Sequence, residues 1–212
     1  RQARVLHAAT GDPRGQAKAL MHLGEMAQAA GRLSEARDAY AQALSLHRAT
    51  RERAGEATAL HALGNVAAAT RQPGPAAERY RQALALYRGI GDRAKEAHVL
   101  RSLARLERAR GRDADAQAHL ARAVALLETI RERLGSLSEA KSAYLASSLT
   151  TYYEHLGLLL ERGETDTAFA VAQKTKARAL LDLMAADRML LDAHLSPSER
   201  SLLAALRRRA DL

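Results

Sequence analysis

The chain has no cysteine, no tryptophan, a single phenylalanine and four prolines. Without cysteine there is no disulfide framework, no thiolate zinc site and no cysteine nucleophile among these 212 residues. That usage agrees with a reducing compartment, and the cytoplasm is the expected location. Aromatics make up only 3% of the chain, so the large side chains that supply core volume in a compact globule are scarce, although 47% of the residues are hydrophobic. A core of Ala and Leu suits closely approaching helices. Four Pro and 13 Gly leave little turn material for a sheet protein, and no segment alternates with period two. The fold class expected is all-α. The longest apolar stretches, such as Leu156 to Leu160, fall far short of the ~20 residues a spanning helix needs, and no signal peptide stands out, so no membrane partner is expected. The chain opens at Arg1 without Met, which reads as a piece of a longer protein.

Acidic residues are outnumbered, with 24 Asp and Glu against 33 Lys and Arg and a formal net charge of +9. Only five of the basic residues are Lys. The excess is either a footprint for an acidic partner or an arginine-rich composition spread over solvated helix faces. Basic residues alternate with Glu and Asp at helical spacings, and no aromatic platform accompanies them, so nucleic acid is disfavoured as a partner. Binding to it would weaken steeply with salt.

What the chain does have is an internal repeat of forty residues. Leu20, Leu23, Gly24 and Ala27 return as Leu60, Leu63, Gly64 and Ala67, and Ala36, Tyr40, Ala43, Leu44 and Leu46 as Ala76, Tyr80, Ala83, Leu84 and Leu86. A third copy keeps Leu100, Leu103, Ala104, Ala116, Leu120, Ala123 and Leu126. Leu20, Leu23 and Ala27 share one helical face, Gly31 interrupts, and Ser34-Glu35 is expected to open a second helix with Ser as N-cap. Gly24, Ala36 and Ala43 let the two backbones approach, and Tyr40 fills the space between them. Stacked pairs bury the apolar face that one pair leaves open, which yields an α-solenoid with a groove.

These residues resemble the tetratricopeptide repeat (TPR) family pattern of a large residue, Leu-Gly, a small residue, then Ala, an aromatic and Ala. The third copy departs, with Glu107 at the place of Ala27 and Ala67 and Leu120 in the aromatic place; Leu106 is expected to cover part of that face. A HEAT-like repeat of similar period is the alternative, and the Leu-Gly pair favours TPR. The resemblance implies a right-handed superhelix of antiparallel helix pairs. The six residues beyond the usual repeat length fall between Ala43 and Leu60, where they would lengthen helix ends. Repeats are expected at 11–50, 51–90 and 91–130. Residues 1–10 read as the end of a preceding repeat, because Ala3, Leu6, His7, Ala9 and Thr10 align with Ala43, Leu46, His47, Ala49 and Thr50.

Over 131–187 the period lapses into an elongated TPR-like pair. Leu137 to Glu161 reads as one helix with Ala140, Tyr144, Leu149, Tyr153, Leu156 and Leu160 as apolar positions, and Leu156-Gly157 repeats the Leu-Gly signature. Gly163 should end it, and Thr165 or Asp166 should cap a partner carrying Ala168, Ala172 and Ala179. The helix from Ala172 to Ala185, with its Lys176-Ala177-Arg178-Ala179-Leu180-Leu181-Asp182-Leu183 core, together with Tyr152-Tyr153 to Leu160, resembles the last TPR-side helices of bacterial CHAT proteins. The resemblance implies a caspase-like protease domain downstream in cis, with 188–212 as the start of a helical linker opened by Ser196-Pro197-Ser198-Glu199. The alternative context is a partner-binding module of a bacterial signalling or transcription regulator.

Nothing in the chain reads as catalytic, cofactor-binding or metal-binding. No pair among the eight His is spaced i, i+4, and His7, His47 and Tyr87 share one structural position near the end of the second helix. Gly11-Asp12-Pro13 and Gly91-Asp92 read as turns with capping Asp, not as phosphate loops, and carboxylates fall mostly at i,i+4 from Arg. The groove carries the expectation of function: a protein or peptide ligand in contact with the first helices. The lining expected is Lys18, Met21, Glu25 and Gln28, then Thr58, His61, Asn65 and Ala68, then His98, Arg101, Arg105 and Arg108. Arg101, Arg105 and Arg108 form a stripe suited to an acidic segment, with Glu107 and neighbouring acids expected to neutralise part of it. The clamp that some TPRs use for chaperone tails is not matched at Glu25 and Ser102.

Overall fold

The structure, a computed structural model, describes residues 12–133 and 138–174. The first ten residues and the helix expected from Ala172 to Ala185 therefore lie wholly or largely outside the described residues, as does the Ser196-Pro197 segment. Eight α-helices occupy the described residues: α1 Pro13–Ala29, α2 Leu33–Ala49, α3 Arg53–Ala69, α4 Pro73–Ile90, α5 Arg93–Ala109, α6 Asp113–Arg133, α7 Ser138–Glu161 and α8 Thr165–Lys174. The chain divides into two compact units, Arg1–Leu126 and Leu127–Leu212.

In the first unit the forty-residue repeat is a twenty-residue step taken twice. Left-handed residues stand at Gly31, Arg51, Arg71, Gly91 and Gly111, each twenty after the last. At each, the next residue's N–H donates to a carbonyl five residues back, as in Arg32 to Ala27 (2.8 Å), Glu52 to His47 (2.8 Å) and Gln72 to Ala67 (2.9 Å). This closure satisfies the carbonyls that a helix end leaves over. Short turns of this kind set neighbouring helices antiparallel. Asp12 and Asp92 cap α1 and α5, accepting from the N–H groups of Gly15 (2.9 Å) and Lys95 (3.0 Å). Ser34 is not the cap of α2: the helix begins at Leu33 with Arg32 in the N-cap place and no side-chain cap bond, because the closure at Gly31 sets the helix start two residues early.

The core confirms why glycine and tyrosine recur together. A Cβ added at Gly24 would overlap the ring of Tyr40, and one at Gly64 the ring of Tyr80. Both rings are buried. In the third pair the same two places hold Ala104 and Leu120, also buried, so a methyl gained on one helix matches a smaller side chain on the other. Leu23 is only half-buried, unlike Leu63 and Leu103. His47 and Tyr87 share one structural position and are 3% and 1% exposed. His47 Nδ1 lies 3.0 Å from Glu52 Oε2, and the Tyr87 hydroxyl lies 2.9 Å from that of Thr58.

Two ion pairs join one repeat to the next across eight residues, instead of following the i,i+4 spacing. Arg48 Nε donates to Glu56 at 2.8 Å, and Arg88 Nε to Glu96 at 2.8 Å. Glu96 is buried and takes a second cation, Arg122, at 3.4 Å.

The second unit contains the pair α7 and α8, whose helices meet around Leu156, Leu159, Ala168 and Ala172, with Tyr153, Leu160 and Val171 packed against them. Gly163 turns left-handed, and the Glu164 N–H donates to Leu159 at 2.8 Å. Glu164, whose carbonyl accepts from Ala168, precedes α8; neither Thr165 nor Asp166 stands in the N-cap place. Leu156-Gly157 copies the letters of the Leu-Gly signature without its role, since a Cβ at Gly157 would meet no atom within 4 Å. Aligned on the left-handed glycine, the place of Gly24 is taken by Leu156 and that of Tyr40 by Ala172.

Candidate functional site

The first helix of each regular pair, α1, α3 and α5, contributes to two adjoining recesses of about 470 Å³ each. Met21, Glu25, Thr58 and Tyr40 belong to the first, and Tyr80, His98, Arg101, Ser102 and Arg105 to the second. Gln28, His61 and Asn65 line both and make them continuous. Of the residues anticipated from sequence, Met21, Glu25, Gln28, His61, Asn65, His98, Arg101 and Arg105 meet here. Thr58 and Ala68 do so too. Lys18 and Arg108 line neither recess and are exposed.

The forty-residue step sets these side chains in rows. Glu25, Asn65 and Arg105 are repeat equivalents, and so are Met21, His61 and Arg101. Hydrogen bonds organise the middle of both rows. The Tyr80 hydroxyl donates to Asn65 Oδ1 at 2.8 Å, and that of Tyr40 to Gln28 Oε1 at 3.1 Å. Each amide oxygen is thereby engaged, and its NH₂ is the face left to present. Ser102 Oγ lies 2.9 Å from His61 Nε2 and 3.2 Å from the His98 carbonyl, so one hydroxyl links the two histidines.

Burial shapes the titration of this region. It depresses His61 to about 4, with help from His98, Lys95 and Arg101, so the ring is neutral near pH 7. Burial also lowers His98, with Arg101 and Lys95 adding to the effect. It pushes Tyr40 and Tyr80 up to about 12, so both hydroxyls keep their protons. The His61 ring lies 5.6 Å from that of Tyr80, tilted by 58°.

Glu107 does not temper the arginine stripe. It is 5% exposed and pairs with Arg110 at 3.1 Å and Arg112 at 3.6 Å. A carboxylate on the packed face of α5 is held there by the two cations around the following turn. Leu106 is buried as well, and it lines the second recess. From sequence Tyr40 reads as filler, Tyr80 as its repeat equivalent, and Ser102 as an unmatched clamp position outside the expected lining. The forty-residue arithmetic placed the tyrosine rings, but the reach of their hydroxyls carries no sequence signal. Among the described residues no group of three or more His, Asp or Glu gathers into a metal set, and no helix is long and apolar enough to cross a membrane.

The tetratricopeptide repeat family matches residues 15–89, the span of the first two helix pairs. That segment carries TPR repeats. No curated protein matches the chain. Among solved structures, it is similar to BtubC (BKLC) from P. vanneervenii, with a TM-score of 0.64 and 21% identity over 81% of this chain and 66% of that one. It is similar as well to the TPR-like repeats of a kinesin light chain protein from Podosopora anserina, in two structures with TM-scores of 0.60, at 18% and 19% identity. Each of those alignments covers 90% of this chain and 82% of the other. The likeness is one of fold: an all-α helical repeat. A TPR segment is in general a protein-protein interaction module.

Proposed function

We propose that this chain binds an acidic polypeptide segment in the groove of its TPR pairs. The observation that carries the reading is the continuity of the two recesses through Gln28, His61 and Asn65, ending on Arg101 and Arg105. Guanidinium forks suit carboxylates, and amide donors suit the backbone carbonyls of an extended chain. The test is fluorescence anisotropy with a labelled peptide carrying a short Asp/Glu run. Arg101→Glu with Arg105→Glu should weaken capture tenfold or more, whereas Arg108→Glu, outside both recesses, should change it less than twofold. Equal capture by the wild type and the double variant would remove the proposal.

The sequence resemblance at Tyr152-Tyr153 and Ala172 to Ala185 supports a further step: the array is the sensor or substrate-recruiting region of a CHAT-type protease. In that setting ligand occupancy would be passed to the protease through the final helices, in a structure whose repeats contact only their neighbours. The natural gene decides it. A reading frame with a Cys- and His-bearing domain downstream agrees with the reading; a DNA-binding or nucleotide-binding domain there would assign the chain to a signalling or transcription regulator.

A further inference from the structure

We propose that the groove reads charge at both of its ends and selects a segment with a basic residue at the first pair and an acidic residue at the third. This deepens the acidic-segment reading and rests on it. Across the groove, one row runs from the carboxylate of Glu25 through the amide of Asn65 to the guanidinium of Arg105. The neighbouring row runs from the thioether of Met21 through His61 to the guanidinium of Arg101. Both rows pass from negative or neutral, through neutral, to positive.

The centre is uncharged for structural reasons. His61 is partly buried and hydrogen-bonded through Nε2 to Ser102, which also reaches the His98 carbonyl. The Asn65 and Gln28 amides are oriented by Tyr80 and Tyr40. Such a centre can hold a backbone in either direction, so sign selection is left to the ends. At the first end Glu25 is the acidic residue lining the recess, 3.1 Å from His22 Nδ1 and well exposed, so it can meet an incoming cation. At the other end Arg101 and Arg105 are one helical turn apart on α5.

Spacing follows from the helices. Crossing from α1 to α5 takes two interhelix steps of about 8–10 Å, or roughly 16–20 Å in all. An extended chain covers about 3.3 Å per residue, so base and acid should be about six residues apart. A uniformly acidic segment would place a carboxylate against Glu25 and bind less well.

The experiment uses the 212-residue chain and capped, labelled peptides on an uncharged Gly/Ser/Ala frame. One set carries Lys and Asp about six residues apart, in both orders. The others carry Asp alone, Asp at both places, or no charge. The wild type should bind the better Lys–Asp order at least threefold more tightly than Asp alone, and at least tenfold more tightly than the two-Asp peptide. Glu25→Gln should erase the advantage of Lys and tighten the two-Asp peptide severalfold. If the two-Asp peptide binds the wild type as well as the better Lys–Asp peptide, or if Glu25→Gln leaves the preference intact, polarity is overturned while acidic-segment binding stands. If no charged peptide binds better than the uncharged one, the acidic-segment reading fails and polarity fails with it.

Discussion

In the first two pairs the first helix leaves a gap at Gly24 and Gly64, and the second fills it with Tyr40 and Tyr80. In the hairpin of α7 and α8 the first helix supplies Leu156, and the second recedes at Ala172. Ala104 and Leu120 lie between these extremes. The turn-aligned positions are the same, seven residues before and nine after the left-handed residue. Their combined bulk is what the helix pair must conserve, because interiors are packed to crystal-like density. Which helix carries the large side chain is free to change. Only the tyrosine arrangement sends a hydroxyl to the groove, where it orients Asn65 and Gln28. The regular pairs thus order polar groups along the recesses as well as filling the space between their helices, and the hairpin fills that space without a tyrosine.

The sharpest way to break this comparison is Gly64→Ala. The new Cβ overlaps the Tyr80 ring. Overpacking costs about 3 kcal/mol, and removing a helical glycine returns about 1, for a net loss of about 2 kcal/mol. Adding Tyr80→Leu recreates the Ala104 and Leu120 pair and should recover more than half of that loss. Urea unfolding of both variants measures it. A double variant no more stable than the single one would show that bulk is not traded between these positions.

A somewhat smaller effect separates the groove from the rest of the core by pH. His61 is depressed from 6.5 to about 4, chiefly by burial. Its stabilising contribution is therefore complete above pH 6.5 and lost as pH falls towards 4, because the unfolded chain takes up the proton first. The slope is at most about 1.4 kcal/mol per pH unit for one group, so moving from pH 7 to pH 5 should remove about 1–2 kcal/mol. His61→Gln keeps a hydrogen-bonding group for Ser102 and should flatten this part of the profile. His98, His119 and His155 are also lowered by burial and leave a residual slope. A wild type and His61→Gln with superimposable pH–stability curves would contradict a buried, neutral His61.

The helix pairs and the groove rows were legible from sequence because both follow from arithmetic: residues forty apart share a place, and residues three and four apart share a face. The register of the last hairpin was not. A Leu-Gly dipeptide is a local mark, whereas register is set by the closure at Gly163, six residues on, and by the bulk of Leu156 against Ala172. Glu107 misled for a similar reason. A carboxylate in an alanine place reads as exposed until Arg110 and Arg112 close around it through the turn. The groove's hydrogen bonds need side-chain geometry, so spacing could name Asn65 and His61 but not which of their atoms is left to present.

The smallest effect tests the register directly. Gly157 lies six residues before the left-handed Gly163, the place that Glu25, Asn65 and Arg105 hold before their own turns. In the regular pairs that place faces the recess, and in α7 a Cβ there meets no atom within 4 Å. Gly157→Ala therefore removes a helix-weakening glycine without a clash and should stabilise the chain by about 0.5–1 kcal/mol. The same substitution is expected to destabilise at position 64, so the sign alone decides. A loss of stability at 157 would mean that the glycine receives a side chain after all, and the hairpin would follow the Leu-Gly register of the first two pairs.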